Sequence, residues 1–246
     1  MPNSSSLSLW RELLKNICLS VTIFVVILFL SYIAESVWQL PLLHFADAAF
    51  CVGIPASIIG VAYVLTIRNP VNHTGFYLGI IMSVLLAIQF YLQGNYDLTI
   101  LYLACFVPLQ MKSIYTWKHS SHAQQSEPLQ PTFLSKKAML LSILIFVIIT
   151  LLDYLLATFV INHDALQENI VIKLMGALLI SSSVLANYWL IYKKTDAWVY
   201  WVIYSASGII FYILINNIFS VVLFIFFLVI NSLAAISWFH LTTNKH

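Results

Sequence analysis

Charge is what this chain has least of. Lys, Arg, Asp and Glu make up 8% of its 246 residues, against 61% hydrophobic residues. A soluble domain carries about a quarter charged residues, so a fold this poor in charge has no means of covering itself in water. A bilayer removes that requirement, because the outer surface then faces lipid. Catalytic motifs are missing too. No HExxH, no GxSxG and no pair of carboxylates within the apolar runs is found, which leaves a membrane-embedded enzyme without a metal set, a nucleophile or an acid–base pair. Three cysteines, Cys18, Cys51 and Cys105, lie far apart in apolar runs. With no CxxC pair and no zinc spacing they read as buried free thiols. The seven histidines, at 44, 73, 119, 122, 163, 240 and 246, fall at loops or helix ends. That argues against a haem or metal centre, and no cofactor is expected. The last two apolar stretches hold no lysine for a retinal Schiff base. The 11 basic residues form no patch with interleaved aromatics, so nucleic acid is excluded as a partner.

What remains is apolar sequence in long blocks. Stretches at 17–38, 45–67, 74–93, 97–117, 138–161, 166–192, 198–215 and 217–240 are each long enough to cross a bilayer as a helix of about 20 residues. Helices are required because lipid leaves unpaired strand edges without partners. The expectation is an all-α membrane protein of about eight transmembrane helices in contact with lipid. The polar first 16 residues resemble the start of a signal peptide, but no small-x-small cleavage pattern follows, and the stretch from Ile17 reads as a retained helix. The connection at 118–137 reads as a loop. Arg11, Lys15, Arg68, Lys112, Lys118, Lys136, Lys137, Lys193, Lys194 and Lys245 fall at or beside alternate loops; only Lys173 does not. The intervening loops carry Glu35, Asp47, Asp97, Asp164 and Glu168. The excess of basic residues on cytoplasmic loops then places both termini in the cytoplasm. Trp10, Trp38, Trp117, Trp198 and Trp238 sit where an interfacial aromatic belt is expected.

Shifted by 121 residues, the chain matches itself without gaps. Phe90-Tyr91 falls on Phe211-Tyr212, Asn95 on Asn216, Phe106 on Phe227, Gln110 on Asn231, Trp117 on Trp238 and His119 on His240. The stretches at 45–117 and 166–240 form two triplets, joined by the single helix at 138–161. One joining helix returns the chain across the membrane, so the triplets are parallel repeats of the kind found in SWEET transporters. The expected organisation is residues 1–43 as a cytoplasmic start and an extra helix, 44–117 as the first repeat, 118–165 as a cytoplasmic loop and the joining helix, and 166–246 as the second repeat with a short tail. A bundle of this symmetry suggests a transport path at the repeat interface, or else a duplicated scaffold without one.

Particular residues then resemble a known family. The run Ala186-Asn187-Tyr188 to Lys193-Lys194, followed by Trp198-Val199-Tyr200-Trp201, is similar to the PnuC family of bacterial vitamin transporters, which has a WxxW motif before its penultimate helix. Gly94-Asn95-Tyr96-Asp97 looks like that family's G-x-Y turn, and Tyr115-Thr116-Trp117 like its Y-x-W ending. The resemblance covers roughly residues 45–240. It implies a SWEET-like 3+1+3 core plus an N-terminal helix, in the cytoplasmic (inner) membrane. It implies uptake of nicotinamide riboside by facilitated diffusion, with trapping by phosphorylation inside the cell; related members carry thiamine or riboflavin. The sequence departs from the family at Ser113-Ile114, where Gly-Trp is usual, at Ser205, where Asn is expected after WxxW, and at Asn217-Ile218-Phe219 in the second turn.

The candidate substrate-binding residues are Trp198, Trp201, Asn187, Gln110 and Asn231. Trp198 and Trp201, three apart, share a helix face and offer a stacking platform that attracts a pyridinium cation. Their other reading is the cytoplasmic aromatic belt beside Lys193 and Lys194. Gln110, Asn187 and Asn231 offer amides within spans, for a ribose or carboxamide or for bonds between helices. Asp153 is the one acidic residue well inside a span, a functional candidate by default, though the joining helix lies off the family's path. Pro55 and Pro108 each remove a backbone donor and read as hinges or fixed kinks. The competing function is an accessory or receptor subunit with no path of its own. Oligomeric state is left open.

Overall fold

The computed structural model of the chain describes residues 4–38, 48–120, 130–159 and 169–244. Several charges used above to orient the chain, Asp47, Asp164, Glu168 and Lys245, lie outside these residues, as do His44, His122, His163 and His246 and residues 121–129 of the 118–137 connection. Among the described residues the fold is helical, with one isolated bridge between Thr132 and Lys194. The helices are α1 (Ser4–Trp38), α2 (Ala48–Ile67), α3 (Gly75–Leu92), α4 (Tyr96–Leu101), a π-helical turn at Tyr102–Phe106, α5 (Val107–Ser120), α6 (Lys136–Phe159), α7 (Ile170–Ile191), α8 (Ala197–Leu214) and α9 (Ile218–Thr243). Among the described residues eight spans are long and apolar enough to cross a membrane, α4, the π turn and α5 together making one of them. Outward-facing Leu, Ile and Val along α6, such as Leu140, Leu144 and Leu152, suit a surface solvated by lipid tails rather than water.

α1 starts at Ser4, well before the apolar run at Ile17. Its first turns are polar, and hydrophobicity alone gave no sign of them. They are held by side chains. The Glu12 carboxylate accepts from Asn69 Nδ2 at 3.1 and 3.2 Å and from Asn72 Nδ2 at 3.0 Å. Asn16 Nδ2 donates to Thr66 Oγ1 at 3.1 Å, and Trp10 stacks on Tyr77. The start of α1 is thereby fastened to the loop between α2 and α3.

The chain divides into two compact units. One holds α1 as far as Tyr32, α2 to α5, and Ile191–Lys193; the other holds α6 to α9 with the end of α1. In the second unit the residues leading into α6 are fastened to the loop between α7 and α8. Leu134 N donates to Asp196 Oδ2 at 2.7 Å, Lys194 Nζ to Thr132 Oγ1 at 2.8 Å, and Thr195 N to Thr132 O at 3.0 Å. Further along α6, Ser142 Oγ accepts from Trp189 Nε1 at 2.8 Å and bonds Tyr200 OH at 2.6 Å; Thr150 Oγ1 donates to Ser181 Oγ at 2.8 Å. A leading helix tied to the loop between the next two is thus a feature of both units.

The units share finer geometry, in a register that corrects the uniform 121-residue shift. Ala48 and Ile170, Gly75 and Ala197, and Tyr96 and Ile218 begin matching helices, 122 residues apart each time. Past the π turn the aromatic pairs return to 121. Phe76 meets Trp117 edge-on at 4.7 Å, and Trp198, 122 residues after Phe76, meets Trp238, 121 after Trp117, edge-on at 5.5 Å. The first unit therefore has one residue more between α4 and α5 than α9 has. A π turn accommodates one extra residue in a helix, and it forms at Tyr102–Phe106, just before Pro108, whose missing N–H leaves the ladder weakest there. In the corrected register Phe90 matches Tyr212 rather than Phe211, and Pro55 matches Ala177 rather than Gly176.

Candidate binding site

The site is built on the start of α8. The loop before it turns at Lys193, which has φ 50°, and Ala197, Trp198 and Val199 donate their N–H groups back to the carbonyls of Lys194, Thr195 and Asp196. This sets Trp198 in the first turn and Trp201 one turn later. Both are buried, at 0% and 6% exposure. Trp198 packs against Trp238, and Trp201 stands at 90° to Tyr204, with ring centroids 5.4 Å apart. Trp117 and Trp238 are also fully buried. The interfacial belt expected of Trp117, Trp198 and Trp238 is thus replaced by edge-on pairs inside each unit; Trp10 alone of the described indoles in that set is half exposed.

α9 faces α8 closely. A side chain on Gly208 would meet the Phe224 ring at 2.0 Å, so glycine is what lets the two helices approach. The approach brings Asn231 to Trp201. Asn231 Nδ2 donates to Ser205 Oγ at 2.9 Å and to Trp201 O at 3.3 Å, and Ser205 Oγ donates to the same Trp201 carbonyl at 2.9 Å. Ser205 and Asn231 are both buried. Three buried polar atoms here have no hydrogen-bond partner: Trp198 Nε1, Trp201 Nε1 and Asn231 Oδ1. Two donors and one acceptor left unpaired is costly in an apolar interior, and such atoms are what a bound polar group would satisfy. Neither α8 nor α9 contains Lys, Arg, Asp or Glu.

The other predicted residues fall elsewhere. Asn187, on α7, is buried and donates Nδ2 to its own helix at Ser183 O, 2.8 Å away. Gln110 belongs to the first unit, where its Nε2 donates to Tyr63 OH at 3.1 Å. It lies against Gly79, whose added Cβ would be 2.8 Å from the Gln110 amide. In the 122 register Gly79 stands where the second unit has Trp201, and Ser83, donating to Gly79 O at 2.8 Å, stands where it has Ser205. The long amide over glycine and the short amide beside tryptophan are alternative fillings of one position. Ser205 and Tyr63, which bond Asn231 and Gln110, were not among the predicted residues, although Ser205 carried a signal as a departure just after WxxW. Asp153 is partly buried on α6. Lys193 Nζ lies 4.5 Å from the centre of the Trp117 ring, and burial pushes its pKa down to about 8. Among the described residues no group of three or more His, Cys, Asp or Glu gathers to hold a metal ion.

Comparisons with known proteins agree with this picture. A family model described as nicotinamide mononucleotide transporter matches residues 50–240. A solved structure, described as the crystal structure of the vitamin B3 transporter PnuC, has the same fold: the TM-score is 0.65 at 15% sequence identity, over 98% of this chain and 99% of that one. No curated protein matches by sequence.

Proposed function

Because the chain belongs to the nicotinamide mononucleotide transporter family, a family of multi-pass membrane transporters rather than enzymes, we propose that it takes up nicotinamide riboside, or a related vitamin such as thiamine or riboflavin, across the bacterial inner membrane by facilitated diffusion. Phosphorylation inside the cell then traps the substrate. Substrate is bound in the second unit by Trp198 and Trp201 with Asn231, supplemented by Asn187 of the same unit. The observation that carries this reading is the set of buried atoms without partners, Trp198 Nε1, Trp201 Nε1 and Asn231 Oδ1, within two helices that hold no charged Lys, Arg, Asp or Glu side chain.

That lack of charge bears on which substrate is taken. The matching family's description names a mononucleotide. A phosphate with two negative charges is expensive to remove from water unless a cation meets it, and α8 and α9 supply none. The nucleoside, or a free vitamin, suits indole faces and one amide. A flat pyridinium ring gains both stacking and cation–π attraction there, the latter worth about 0.5–2 kcal/mol. The distribution of basic residues supports cytoplasmic termini, and the paired turns and aromatic contacts support two parallel repeats within residues 44–117 and 166–246.

Calorimetric titration of the purified protein with nicotinamide riboside, thiamine, riboflavin and nicotinamide mononucleotide tests the proposal. One of the three unphosphorylated vitamins is expected to bind, and the mononucleotide to give no heat. Binding of the mononucleotide alone contradicts the argument from charge.

A further inference from the structure

The 122-residue register reaches the leading helices, and there the two units differ. Ser20, Phe24 and Ile27 on α1 fall on Ser142, Phe146 and Ile149 on α6. Glu12 falls on Leu134, each bonded to the loop between the next two helices. Ser20 and Ser142 are both fully buried, so the two helices turn the same face inward. What that face meets is not the same. Ser142 bonds Trp189 and Tyr200, and Thr150 bonds Ser181, fastening α6 to α7 and α8. In the first unit Thr150 is replaced by Leu28, and Trp189, Tyr200 and Ser181 by Ile67, Leu78 and Ile59. The hydroxyls of Ser20 and Thr22 turn back to Ile17 O and Cys18 O of their own helix. Ser31 Oγ, at the position of Asp153, is buried and has no hydrogen-bond partner.

We infer that α1 is the moving helix of the first unit: it pivots about its clamped end, while α6 moves as one body with α7 and α8. Lipid tails are as apolar as Leu or Ile, so no hydrophobic force draws helices together inside a membrane; packing and hydrogen bonds hold them. α6 has both along its length. On α1 the bonds to α2 and the loop after it sit at one end, from Glu12 to Asn69 and Asn72 and from Asn16 to Thr66. Further along, Phe24 and Ile27 supply apolar packing. A helix fastened at one end and resting on apolar contacts elsewhere is a hinged lever. Ser31 lies about four turns beyond Asn16, where such a lever travels furthest. Its buried hydroxyl is the group that a second position of the helix would satisfy. The inference goes beyond the substrate-binding reading, and its first test needs no substrate.

That test compares nitroxide pairs at equivalent positions of the two units by pulsed electron resonance, on the full chain carrying Cys18→Ala, Cys51→Ala and Cys105→Ala. Leu30→Cys with Leu92→Cys spans α1 and α3; Leu152→Cys with Leu214→Cys spans α6 and α8 in the same register. The first pair should give a broad or divided distance distribution and the second a single narrow one. Distributions of equal width, or a wider one in the second pair, overturn the inference. The functional arm is a reversible lock. Leu28→Cys with Ile59→Cys joins α1 to α2 at the positions where Thr150 and Ser181 join α6 to α7. Oxidation should abolish exchange of labelled nicotinamide riboside in proteoliposomes, and reduction should restore it. The disulfide between Thr150→Cys and Ser181→Cys should leave exchange as it was. Unimpaired exchange by the oxidised Leu28→Cys, Ile59→Cys protein overturns the inference, as does failure of that pair to cross-link where the α6 pair does. Loss of exchange in both locked proteins overturns it too, since α6 would then have to move as well. If the reduced proteins exchange no vitamin at all, the uptake reading fails, and the distance distributions alone decide the inference.

Discussion

Gly94 and Asn216 occupy the same position of the same turn. Both have positive φ, 76° and 56°. Gly94 N donates to Tyr91 O and Asn95 N to Phe90 O; Asn216 N donates to Ile213 O and Asn217 N to Tyr212 O. Each pair of bonds closes the C-terminus of a span and starts the next helix one residue later. Glycine and asparagine are the residues that enter this left-handed conformation at least cost.

Gly94→Ala should therefore destabilise the protein by about 1 kcal/mol. A Cβ at Gly94 would meet nothing within 4 Å, so the cost comes from the backbone alone. Asn216→Ala should cost a similar amount and Asn216→Gly nothing measurable. Thermal unfolding in detergent checks all three, and a neutral Gly94→Ala would mean that the turn relaxes.

This turn also marks how far the sequence could be read. The spans were legible because lipid demands long apolar helices, and helix ends agreed with the polar breaks to within a few residues. The polar start of α1 was not, because Glu12 and Asn16 hold it through partners 50 residues or more away in sequence. The repeat was legible in Trp117 with Trp238 and in Gln110 with Asn231. An ungapped comparison has no place for one extra residue, however, and so it misaligned everything before the π turn. Burial of the tryptophans was hidden for a different reason: an indole near a span end looks the same in sequence whether it faces lipid or a neighbouring helix. Asn231 beside Trp201 was foreseen as two candidates, but not as a bonded pair, because the link runs through Ser205 and a backbone carbonyl.

The π turn yields a second prediction. Deleting Ala104 removes the surplus residue and should let Tyr96–Ser120 run as a continuous α-helix in the manner of α9. The protein should fold, with the facing of Tyr96–Leu101 largely kept, because the π turn already takes up the extra residue. Deleting Ile225 from α9, which has no surplus, should prevent folding. Comparable yields of folded protein from the two deletions, measured by gel filtration in detergent, would show that the turn does not absorb an insertion.

Lys193 gives a pH dependence. Its pKa is lowered from 10.5 to about 8 by burial, so between these values the unfolded chain binds more protons than the folded one, and stability rises with pH. The contribution is smallest below pH 8, where the buried ammonium is kept over Trp117, and is complete above about pH 10.5. In Lys193→Met that rise should be absent, with higher stability than wild type at neutral pH. Denaturation midpoints at pH 7, 9 and 10.5 for both proteins decide it; parallel profiles would mean that Lys193 titrates normally.

Uniport of an unphosphorylated vitamin, as proposed, is checked by exchange of labelled nicotinamide riboside in proteoliposomes. Exchange should proceed without any ion gradient and be unaffected by ionophores. Trp201→Ala should weaken it in line with the loss of about 1–3 kcal/mol of stacking, and Asp153→Asn should leave it largely unchanged. Accumulation against a gradient that collapses with an ionophore and is lost in Asp153→Asn would rule out uniport, and would make Asp153 the coupling residue.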